Sequence, residues 1–141
     1  MSDTRDEHEK GFLKFVLPPQ QRRLGTLLAL GDKRRSEVRS LLDHAIRLDP
    51  RYVVPLEHGQ QFSEPIERLL TAIGAPANCW VVAANAKIDG HRMPLKQALK
   101  AIVGSGSGAF ISCIPGELGY FEHEHENGGQ IVNSRPFRWA G

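Results

Sequence analysis

Apolar residues recur at helical spacing in four segments of the chain, and as short unbroken or alternating runs in its last third. Val38, Leu41, Leu42, Ala45 and Ile46 fall at i, i+3, i+4, i+7 and i+8, which lays one helix face against a core. Leu95, Ala98, Leu99, Ile102 and Val103 repeat that spacing. Leu24, Leu27 and Leu28 mark a third stripe, and Ile66, Leu69, Leu70 and Ile73 a fourth. Local signals set the helix ends. Pro18-Pro19 opens a helix from Pro19 to Leu30, and Gly31 fits the position just past its end, where a left-handed backbone costs glycine nothing. Asp32 then caps a second helix to about Leu48, which Asp49-Pro50 ends. Ser63 opens the third, Gly74 closes it, and Pro94 starts the fourth.

Cys79 to Ala84 is apolar at successive positions, as in a strand buried on both faces. Ala109 to Ile114 and Leu118 to His125 read as strands joined by a Pro115-Gly116 turn, and Gln130 to Ser134 as a last, edge strand. Asn127-Gly128-Gly129 makes the turn before it. Residues 1–11, rich in Asp3, Asp6, Glu7 and Glu9, read as a flexible tail. Phe12 to Leu17 docks the end of that tail as a strand or anchor, Arg51 to Phe62 is irregular, and Phe137 and Trp139 pack back from the C-terminus. The predicted fold is α+β: N-terminal helices packed on a small, mostly antiparallel sheet of three to four strands, with a strand–helix–strand–strand–strand C-terminal half and residues 12–141 as one globular domain. If the Cys79 and Ala109 strands are parallel neighbours, their crossover is right-handed.

Composition narrows the class. The 141 residues carry 18 Lys+Arg against 16 Asp+Glu, a net charge of +2. That is too little for nucleic-acid binding by bulk charge. Two cysteines, Cys79 and Cys113, exclude a disulfide framework and a four-cysteine zinc site, and both read as buried structural thiols. No apolar run approaches the roughly 18–20 residues that span a bilayer, and residues 1–10 carry no signal-peptide core. The expectation is a cytoplasmic protein with no membrane partner.

Charge is concentrated in one place. Arg22, Arg23, Lys33, Arg34, Arg35 and Arg39 face only Asp32 and Glu37 between positions 22 and 39. Lys33, Arg34 and Arg35 fall in the first turn of the second helix, where the macrodipole is positive. Their replacement by glutamine is therefore predicted to raise stability slightly, by up to about 1 kcal/mol. An anionic partner (nucleic acid, nucleotide or acidic protein) would turn this unfavourable placement into a binding site. A helix-turn-helix reading fits poorly, because Glu37 and Ser40 occupy positions that need apolar packing.

Other motifs suggest chemistry with less support. Glu122-His123-Glu124-His125-Glu126 places His123 and His125 on one strand face, the i, i+2 arrangement that clamps zinc or another divalent metal. A third ligand would come from His91, His44 or Glu117. The competing reading is an edge strand whose charges deter edge-to-edge pairing. Asp89, His91 and Arg92 form a polar cluster after the Cys79 strand or, more simply, a turn with Gly90. The GSGSG loop, Gly104 to Gly108, lies between a helix and a following strand, the reverse of a phosphate-binding loop, and reads as a connector. The sequence thus points to a binding or regulatory protein acting through the basic 22–39 region, with no cofactor expected. The alternative is a small metal-dependent enzyme using His123 and His125.

Overall fold

In a computed structural model describing residues 4–44, 46–124 and 128–135, the helices are α1 (Thr4–Leu13), α2 (Pro18–Ala29), α3 (Arg35–His44), α4 (Ser63–Ile73) and α5 (Leu95–Ile102). The strands are β1 (Val53–Val54), β2 (Asn78–Ala83), β3 (His91–Pro94), β4 (Ala109–Ile114), β5 (Leu118–Glu122) and β6 (Gly129–Asn133). All six strands join one sheet in the order β1-β6-β5-β4-β2-β3, and every neighbouring pair is antiparallel.

Alternation along the inner strands sorts the core into two layers. Val81, Ala83, Ile111, Tyr120 and Ile131 point to one face, where α4 and α5 cover them with Ile66, Leu70, Leu99 and Ile102. Val82, Phe110, Phe121 and Val132 point to the other, beneath Phe12 of α1, Leu24 of α2 and Val38 and Leu42 of α3. Helices therefore lie on both faces of the sheet. This is why β2, β4 and β5 read as nearly continuous apolar runs and not as alternating ones.

The α+β class stands, but the sheet is larger than the three to four strands predicted. The two extra strands carry weak signals. β1 is two residues long and pairs Val53 with Val132. β3 is an exposed edge ending in Pro94, a residue a sheet tolerates at an edge. With β1 beyond it, β6 is an interior strand and not the edge that was expected. β2 and β4 are neighbours but antiparallel. β3 turns the chain back against β2, so that β3, α5 and β4 form the crossover over β2.

Residues 4–11 are not a tail. They belong to α1, which buries His8, Glu9 and Phe12. Phe12 to Leu17 serves as an anchor but not as a strand: Phe15 and Val16 are fully buried, and Val16 makes a single bridge to Leu48. The second predicted helix starts late and stops early. Gly31–Arg34 forms a 3-10 turn, with Gly31 at φ 69°, before α3 begins. Of the pair Leu41 and Leu42, only Leu42 is fully inside. Ala45, Asn127, Phe137 and Trp139 lie outside the described residues. Among the described residues no helix is long and apolar enough to cross a membrane.

Candidate functional site

The basic segment divides into an outer and an inner set. Arg22 and Arg23 are exposed on α2, which carries no acidic residue, and Lys33 and Arg34 are exposed in the 3-10 turn. Arg34 pairs with Glu37 at 2.7 Å. Arg35 turns inward. It stands three residues before Val38, so the stripe that buries Val38 and Leu42 carries it beneath α1.

There Arg35 is held by two carboxylates. Its Nη1 and Nη2 donate to Glu9 Oε1 and Oε2 at 2.9 and 2.8 Å. Its Nε and Nη2 donate to Asp89 Oδ2 and Oδ1, both at 2.7 Å. Glu9 also accepts from Trp80 Nε1 at 3.0 Å, and Asp89 from the Ala83 amide at 3.0 Å. Burial works against the Arg35 charge, but the hydrogen bonds to Asp89 and Glu9 outweigh it and raise its pKa above the ordinary arginine value. The ion triad joins α1, α3 and the β2–β3 turn. One cation between two anions leaves a negative charge, which Arg5 and Arg39 approach from above. Arg5 lies 3.7 Å from Glu9 and 3.6 Å from Asp32, and Arg39 lies 3.5 Å from Asp89. Arg5, Asp32, Arg35, Arg39 and Asp89 bound a polar cleft of about 340 Å³.

Beside the triad, His8 Nδ1 meets Ser112 Oγ of β4 at 2.5 Å, and the imidazole lies parallel to the Trp80 ring at 6.4 Å. Ser112 is 1% exposed, so this pair braces α1 and is closed to substrate. Burial, and then the Arg92 charge, hold the His8 pKa below its ordinary value, against Glu7 and Glu9. Unfolded His8 therefore binds a proton more readily than folded His8. Stability is full above about pH 6.5 and falls as pH drops through and below it. Urea midpoints between pH 8 and pH 5 should show this fall for the native chain and a shallower one for His8→Gln. Equal slopes would contradict the assignment.

No known family model, curated protein or solved structure matches the chain. Its site residues are therefore placed by their own geometry. His123 lies just past β5, with Nε2 3.0 Å from Gln130 Oε1 and its ring edge-on to Phe121 at 4.9 Å. His91 is in register with Val81, and through Ile111 with Tyr120, three strand spacings or roughly 14 Å away. Glu117 precedes the other end of β5 and contacts Arg135 at 3.7 Å. His123, His91 and Glu117 thus do not converge, and among the described residues no three potential metal ligands cluster. His125 lies outside the described residues, and the His44 side chain is likewise not described. β5 lies between β6 and β4 and ends at Glu122, so Glu122 is not on an edge strand, while Glu126 lies outside the described residues. Glu122 is buried, accepting from the Tyr120 hydroxyl and, at 3.0 Å, from the Gly104 amide. Burial raises its pKa against those two bonds.

The GSGSG connector is pinned at both ends by the chain's own carboxylates. Glu122 takes the Gly104 amide, and Asp43 takes the Gly108 amide at 2.7 Å. A side chain at Gly108 would meet the Leu42 carbonyl, so only glycine lets the loop pass so close to α3. Of Asp89, His91 and Arg92, Asp89 alone reaches the triad; His91 and Arg92 are exposed on β3. Cys79 and Cys113 are buried thiols, and burial pushes Cys79 up to about 12.

Sequence reasoning missed Glu9, Arg5 and the inward turn of Arg35. The signal was present: Arg5, Glu9 and Phe12 fall at i, i+4 and i+7, one face of a helix.

Proposed function

We propose that the chain is a binding or regulatory module that contacts an anionic macromolecule through the outer cations of its basic segment. One observation carries this reading. Arg22, Arg23 and Lys33 are exposed, and none has a carboxylate partner among the described residues. Arg35, by contrast, is fully engaged inside, so the excess charge of segment 22–39 is presented outward by α2 and the 3-10 turn. Exposed cations without counter-ions attract a polyanion, which gains free energy as it releases its own condensed ions.

The test is duplex DNA binding across a salt series. The native chain should bind more weakly as salt rises. The Arg22→Gln, Arg23→Gln, Lys33→Gln triple variant should lose affinity, with the log–log salt slope shallower by about 0.9 for each phosphate contact removed. No binding by the native chain at about 50 mM salt, or an unchanged slope in the variant, would overturn the reading.

A further inference from the structure

The cleft above the triad presents two guanidiniums, Arg5 and Arg39, that have no side-chain hydrogen bond among the described residues. Among the described residues, the ion-pair partners of Arg5 and Arg39 are carboxylates 3.5 to 3.7 Å away, attracted by charge but beyond a good donor–acceptor distance. Burial does not explain the shortfall, because the Arg5 side chain is 41% exposed and that of Arg39 29%. The acids below are mostly occupied. Asp89 already accepts from Arg35 Nε, Arg35 Nη2 and the Ala83 amide, and Glu9 from Arg35 Nη1, Arg35 Nη2 and Trp80, which leaves each carboxylate about one of its four acceptor sites. The exposed Ser36, at the start of α3, lines the same space of about 340 Å³. Asp32 also borders it. Its side chain is 94% exposed and its contact with Arg5 is 3.6 Å, so it is free to swing into water.

We propose that this cleft is a small-ligand site for the phosphate group of a compact metabolite. Arg5 and Arg39 would be its charge-assisted donors, Ser36 a neutral donor, and Asp32 the internal anion that the ligand displaces. Guanidinium forks suit this role because each offers several N–H donors in the plane that phosphate oxygens match. The rigid Glu9–Arg35–Asp89 floor fixes the elements that carry both forks, which lowers the ordering cost of binding. The site does not rest on the outer surface of Arg22, Arg23 and Lys33.

The test is calorimetric titration with inorganic phosphate, with acetate as the carboxylate comparison. Phosphate should bind the native chain. Arg39→Gln should weaken it about tenfold or more, the loss expected for one charge-assisted hydrogen bond, and Arg5→Gln should act the same way. Asp32→Asn should tighten binding by removing the competing anion. The Arg22→Gln, Arg23→Gln, Lys33→Gln triple should leave phosphate affinity unchanged, which separates this site from the polyanion surface. Thermal unfolding of Arg39→Gln confirms that the variant titrated is folded. The proposal is overturned if phosphate fails to bind, if acetate binds as well as phosphate, or if Asp32→Asn weakens binding. It is also overturned if the outer triple loses phosphate as fully as Arg39→Gln does.

Discussion

Arg35→Gln is expected to destabilise the folded chain by about 3–5 kcal/mol, the cost of breaking a buried ion pair by removing one partner. The effect should sit at the upper end of that range, because one guanidinium satisfies both Glu9 and Asp89. Glutamine cannot supply four donors in one plane, so two carboxylates that are 6% and 3% exposed would lose most of their partners. Urea unfolding would show a lower midpoint at an unchanged slope. The helix-dipole argument leads to the opposite sign, since it treats Arg35 as an exposed cation at a positive helix end. Lys33 and Arg34 lie outside α3, in the 3-10 turn before it, and Arg34 is paired with Glu37. The dipole argument fails for Arg35 because local charge pairing at 2.7–2.9 Å outweighs a dipole effect of a few tenths of a kcal/mol.

The second large effect is expected at Phe12. Its ring is fully buried and lies nearly parallel to Phe110, with centroids 4.2 Å apart. Phe12→Ala should cost about 3–5 kcal/mol, from lost transfer energy plus the cavity left beneath α1. A change below about 0.5 kcal/mol, the range of ordinary surface substitutions, would mean that α1 does not pack on the sheet. That outcome would also remove Glu9 from the triad.

Helices α2 to α5 and the central strands were legible because their signals are strong and local. The α5 stripe and the run at 109–114 needed nothing beyond spacing. Less legible were elements whose stability is borrowed from distant partners. β1 is two residues held by β6, and β3 is an exposed edge held by β2, so neither shows a period of its own. α1 was hidden by its charges. Acidic and basic residues near a terminus read as solvated, yet Glu9 is 4% exposed and Arg35 7%, each made tolerable by the other across 26 positions. Only pairing in three dimensions shows that two charges far apart in the chain share one interior site. The same holds for His123, His91 and Glu117. Composition made them plausible co-ligands, and the strand order set them apart.

The central claim is that the basic segment has an inner, structural cation and an outer, binding set. The most direct test is one urea titration run in parallel on Arg35→Gln and on the Arg22→Gln, Arg23→Gln, Lys33→Gln triple. The account predicts a loss of about 3–5 kcal/mol for the single variant and a change within about 0.5 kcal/mol for the triple. Equal shifts in the two, or a single variant as stable as the native chain, would contradict it.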